Sequence, residues 1–168
     1  MLVGRIAELA VVESALVAAK EGRGGLVAFV GEAGIGKSRL AEEASARARA
    51  RGFRTVWGRT WDGAGAPPGW PWTLVLRDLL EEGVPLAPAE RVDLAPLLPE
   101  IGTASTGPPP TDEVGFRTLD AVARLLRRAA RGAARLVVLD DCTRPTASRC
   151  SRYRSLPARS ARYRSSWS

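Results

Sequence analysis

Apolar residues recur at helical spacing from the start of the chain. Ile6, Leu9, Ala10, Val12, Leu16 and Val17 fall roughly on one broad face, which predicts a helix over residues 6–20. Gly22, Gly24 and Gly25 stop it. Residues 26–30, Leu-Val-Ala-Phe-Val, form a short unbroken apolar run of the kind expected of a buried parallel strand. A glycine-rich turn follows, and residues 37–51, rich in Ala, Glu and Arg, read as a second helix closed by Gly52. Residues 53–57 read as another strand.

Residues 62–72 are rich in Gly, Pro and Trp, and their prolines argue against regular structure. A short helix is predicted over 73–82, and residues 83–111 are predicted to be mostly loop. Another helix begins near Thr111 or Asp112, either of which can cap it, with Glu113 in its first turn. Leu119, Val122, Leu126 and Ala129 keep its spacing and Gly132 closes it. Residues 135–139, Arg-Leu-Val-Val-Leu, form a third strand that runs into Asp140 and Asp141. Strands alternating with helices predict an α/β fold with a parallel sheet flanked by helices.

The chemistry concentrates between the first apolar strand and the second helix. Gly31, Glu32, Ala33, Gly34, Ile35, Gly36, Lys37 and Ser38 fit G-x-x-x-x-G-K-[ST], the phosphate-binding loop of P-loop NTPases. The glycines let backbone approach phosphate closely, and successive N–H groups bind anionic oxygen. The helix N-terminus adds its positive dipole end. Lys37 is placed to reach the β- and γ-phosphates and Ser38 to ligate Mg2+, so the motif implies ATP and Mg2+ as ligands. Four apolar residues running into Asp140-Asp141 resemble a Walker B strand. There Asp140 would hold the magnesium and Asp141 would orient the attacking water.

Composition changes this picture mainly at the C-terminus. The net charge is +7 over 168 residues, yet residues 142–168 hold seven Arg, seven Ser and no acid, leaving 18 basic and 18 acidic residues in the body. The body is neutral, so the charge does not mark it as a nucleic-acid binder. There is no His, and the two Cys do not make a zinc site. No apolar run reaches the roughly 18 residues a membrane span needs, and the N-terminus lacks a secretory pattern, so a cytoplasmic location is expected. We divide the chain into a partial P-loop domain over 1–141 and a Ser/Arg-rich tail over 142–168, expected to be disordered. As a basic arm, that tail would suit a nucleic-acid partner.

Leu2-Val3-Gly4-Arg5 with Glu8-Leu9, then Gly31 to Glu43, Trp57-Gly58-Arg59, the Pro67–Trp72 segment and Leu136 to Asp141, together resemble the AAA-type and STAND ATPase domains of large bacterial LuxR-type transcription regulators. The resemblance implies that Val3 and Gly4 lie against the adenine, while Arg5 reads as a surface or helix-start residue. It implies DNA contact only through a C-terminal domain not recognised here, and self-association. Trp57, Trp61, Trp70 and Trp72 read as packing residues. In that family Walker B is followed by Leu-His-x-Ala-Asp, a sensor strand, a lid and an arginine finger. Residues 142–168 contain none of these, and with a GC-rich choice of codons one base inserted after the second Asp codon gives Leu-His-Ala-Ala-Asp. The chain is therefore expected to be truncated or frameshifted after Walker B, with weak hydrolysis and with strands 26–30 and 136–138 short of a common neighbour. A P-loop kinase for a small molecule or nucleoside and a non-functional fragment that retains the motif stand as alternatives.

Overall fold

The computed structural model describes residues 5–60, 69–102 and 112–140. They comprise five α-helices, a 3-10 turn and two strands: α1 (Ile6–Lys20), α2 (Lys37–Ala50), β1 (Arg54–Arg59), α3 (Trp70–Glu81), α4 (Pro88–Leu94), the 3-10 turn Pro99–Ile101, α5 (Asp112–Gly132) and β2 (Arg135–Asp140). This is an α/β chain with a two-stranded parallel sheet. The chain divides into two units, one reaching to Phe53 and one spanning Arg54–Asp140.

In the first unit α1 lies against α2. Val12 and Leu16, one helical turn apart, are the buried residues of α1. They face the side of α2 that carries Leu40, Ala41, Ala44 and Ala48, where small side chains let two helices approach closely. The buried stripe of α1 is narrower than its apolar sequence predicts: Ile6 is 83% and Val17 52% exposed. A single partner helix covers only one stripe. Ion pairs flank this contact, since Glu13 of α1 accepts from Arg47 of α2 at 2.9 Å and also pairs with Arg51.

Residues 26–30 do not form the predicted strand. Val27 and Phe29 are half-buried and Leu26, Ala28 and Val30 exposed, an alternation suited to a strand. A strand, however, exists through its hydrogen-bonding neighbours. Among the described residues the sheet contains β1 and β2 alone.

In the second unit β1 and β2 pair in parallel, from Arg54 opposite Arg135 to Arg59 opposite Asp140. The intervening helices make the crossover that a parallel pair requires. Val56 of β1, Val75 and Leu79 of α3 and Ala129 of α5 form one apolar cluster. Leu76, Leu94, Leu98, Ala121, Val122 and Leu125 form a larger one among α3, α4 and α5, and Trp72 packs against both.

Three boundaries differ from expectation for one reason: proline can open a helix, because the first N–H has no intrahelical partner to lose. Helix α3 starts at Trp70 rather than Thr73, with Pro71 in its first turn. The expected loop over 83–111 contains α4, begun by Pro88, and a 3-10 turn begun by Pro99. The aromatic segment packs as expected where it is described. The Arg59 guanidinium lies 4.9 Å from the Trp57 ring centroid and that of Arg77 lies 5.7 Å from Trp70. Trp61 lies outside the described residues.

Candidate functional site

The phosphate loop belongs wholly to the first unit. Gly34 at φ +79° and Gly36 at φ +93° both occupy the left-handed region, which a side chain would strain. That backbone carries the chain abruptly into α2, whose N-cap is Gly36. Leu40 donates to the Gly36 carbonyl at 3.0 Å, closing the first helical turn. The cap contributes no side-chain hydrogen bond, and the first turn holds no acidic residue. No acidic side chain in that turn offsets the positive end of the helix dipole, which favours an anion there.

Lys37 brings a full positive charge to the same place. Its Nζ donates to the carbonyls of Gly31 at 3.0 Å and Glu32 at 2.7 Å, so the side chain folds back across the loop that it terminates. Ile35 N–H donates to the Glu32 carbonyl at 3.4 Å, a long contact that rounds the turn. A cleft runs beside the loop, bordered by Arg5, Glu8 and Val11 of α1, by residues 27–30, and by Ile35, Gly36, Lys37 and Leu40. Its walls are mostly apolar, and its charged lining residues are Lys37 and the paired Arg5 and Glu8.

Gly31, Glu32, Ala33, Gly34, Ile35, Gly36, Lys37 and Ser38 are thus brought together in one loop and helix start. Ser38 is exposed in the first turn of α2. Asp140 is the last residue of β2 and belongs to the second unit. It stands at the C-terminal edge of a parallel sheet, where such sheets offer ligand sites. Val3, Gly4 and Asp141 lie outside the described residues.

Among the described residues no group of three or more His, Cys, Asp or Glu side chains could hold a metal alone. Ser38 and Asp140 each carry a side-chain oxygen, the donor type that magnesium takes. No helix among the described residues is long and apolar enough to cross a membrane.

Sequence reasoning placed Arg5 at a helix start, as found, but missed its contact with the loop. Arg5 is the N-cap of α1, and its Nη2 donates to the Ile35 carbonyl at 2.7 Å while its Nη1 donates to Glu8 Oε1 at 3.0 Å. The only hint in the sequence was the Val-Gly-Arg segment itself, since the contact spans 30 positions.

Residues 1–165 match a protein family described as the AAA ATPase domain. The chain belongs to that family. As an AAA ATPase domain it is a nucleotide-binding P-loop module. The match continues through most of the Ser/Arg-rich segment that follows Asp141. No curated protein and no solved structure matches the chain.

Proposed function

We propose that this AAA ATPase domain binds Mg-ATP through its phosphate loop and serves as the nucleotide-binding module of a signalling or transcription-regulating ATPase. The observation that carries the reading is the position of Lys37. Its ammonium is tied to the carbonyls of Gly31 and Glu32 beside an α2 N-terminus that has no side-chain cap. A polyphosphate would meet the Lys37 charge, the helix dipole and the amides of residues 34–38 together.

In this reading Gly31, Glu32, Ala33, Gly34, Ile35 and Gly36 shape the cradle. Lys37 holds the β- and γ-phosphates, Ser38 and Asp140 take the magnesium, and Asp141 orients water. Magnesium supplies charge neutralisation for the phosphates. Val3 and Gly4 contact the base. The regulatory role rests on the opening Leu-Val-Gly-Arg with Glu8-Leu9 and on the Trp/Pro segment before α3. In such a role contact with DNA belongs to a separate domain, and self-association would join modules of this kind.

A thermal melt with and without Mg-ATP tests the reading. Binding to the native state alone raises the midpoint, by an amount that grows with the logarithm of ligand concentration. An unchanged midpoint at millimolar Mg-ATP would remove the proposal.

A further inference from the structure

We infer that Arg5 is a positioning residue for the phosphate loop: its guanidinium locks the peptide between Ile35 and Gly36 so that the Gly36 N–H faces the phosphate. The inference rests on the nucleotide-binding reading above and adds to it a residue that touches the loop, not the ligand.

The argument begins with the peptide unit itself. A trans peptide is planar, with its C=O and N–H pointing in opposite directions. Whatever holds the Ile35 carbonyl therefore also aims the Gly36 N–H. No peptide bond among the described residues is cis. Arg5 Nη2 holds that carbonyl at 2.7 Å, from the side of α1. The Gly36 amide accordingly points away from α1, at the start of α2.

This particular peptide needs an external lock. A peptide flips by a concerted change in the ψ of one residue and the φ of the next, here Ile35 and Gly36. Glycine accepts either sign of φ at little cost, so Gly36 does not resist the flip, and Gly34 on the other side of Ile35 is equally permissive. Both glycines sit at positive φ. A loop of this kind has nearly degenerate peptide orientations unless a carbonyl is tethered. Lys37 tethers the carbonyls of Gly31 and Glu32, and Arg5 tethers that of Ile35.

Arg5 is itself held. Its backbone carbonyl accepts from Leu9 N–H at 3.1 Å, which roots it in the first turn of α1. Glu8 pairs with its other Nη at 3.0 Å, and the two side chains are 15% and 13% exposed. A charged donor screened from water makes a stronger hydrogen bond than a neutral one, and two fixed anchors leave the guanidinium little freedom. Glu8 therefore orients Arg5, and Arg5 orients the loop.

The test measures affinity of the full chain for Mg-ATP and for magnesium tripolyphosphate, which has the phosphates without the base. Arg5→Met is expected to weaken both by the same factor, roughly tenfold, because the loss lies in loop orientation. Arg5→Lys retains one donor and is expected to recover part of both affinities. Glu8→Gln is expected to weaken both about two- to threefold. If Arg5→Met fails to fold, Arg5→Lys and Glu8→Gln carry the test with the same parallel losses. Loss of Mg-ATP affinity with tripolyphosphate unaffected would place Arg5 on the base and overturn the inference, as would wild-type affinity for both ligands. A wild-type chain that binds neither ligand would instead sink the nucleotide-binding reading on which the inference rests.

Discussion

Both terminal nitrogens of the Arg128 guanidinium, Nη1 and Nη2, donate to the carboxylate of Glu90, each at 2.8 Å, across 38 positions of sequence. Glu90 is only 3% exposed and takes a further bond from the Ala87 N–H at 2.9 Å. It thus fastens the start of α4 to α5. Arg124 and Asp93 continue the connection, with Asp93 also accepting from Arg117 at 3.0 Å. Removing one partner of a buried pair leaves the other uncompensated. Arg128 keeps about a third of its side chain in water, which softens that loss. Glu90→Ala is expected to lower unfolding stability by about 2 kcal/mol, seen as a lower urea midpoint at unchanged slope.

The same pair sets an acid limit. Hydrogen bonds from Arg128 hold the Glu90 carboxyl at about 2, well below its ordinary 4.5. A depressed carboxylate pKa stabilises the fold above the unfolded value, and that contribution disappears as pH falls through the folded value. Stability should therefore decline between about pH 4.5 and 2. Glu82, lowered by Arg135 and Arg54, and Glu100, lowered by Arg77, act in the same direction. Asp78, raised by burial, acts in the opposite direction. Acid titration of the melting midpoint should show a shallower slope in Glu90→Gln than in the wild type.

Gly58 of β1 permits a close approach that any side chain would block. A Cβ there would collide with the Pro71 carbonyl oxygen and come within 2.9 Å of Leu139 Cδ2. Backbone at a helix start does not yield easily, so Gly58→Ala is expected to cost about 1–3 kcal/mol. Denaturant unfolding reads that loss directly; unchanged stability would mean that α3 does not pack on β1 in this way.

Local signals made much of this legible. The helical period exposed α1 and α5, composition exposed α2, and the runs at 53–57 and 135–139 located the two paired strands, although β1 continues to Arg59. Contiguous motifs are read equally well, and the phosphate loop from Gly31 to Ser38 is one. What depends on a distant partner was not legible. Residues 26–30 have the composition of a strand but no strand beside them among the described residues. Glu90 looks like any helix acid until Arg128 arrives from another helix. Arg5 reads as a surface or helix-start residue, and its position as the N-cap of α1 agrees, but its bond to the Ile35 carbonyl spans 30 positions. Pro71 misled because proline breaks a helix in one position and begins it in another, and Pro88 and Pro99 likewise begin α4 and the 3-10 turn inside the expected loop.

The central claim is that the loop ending in Lys37 grips a polyphosphate, and calorimetric titration of folded protein with Mg-ATP tests it most directly. Wild-type protein should take up nucleotide saturably, and Lys37→Ala should bind at least about tenfold more weakly while its own stability changes by less than about 0.5 kcal/mol. Folded wild-type protein that takes up no Mg-ATP, or a Lys37→Ala variant that binds it equally well, would contradict the account.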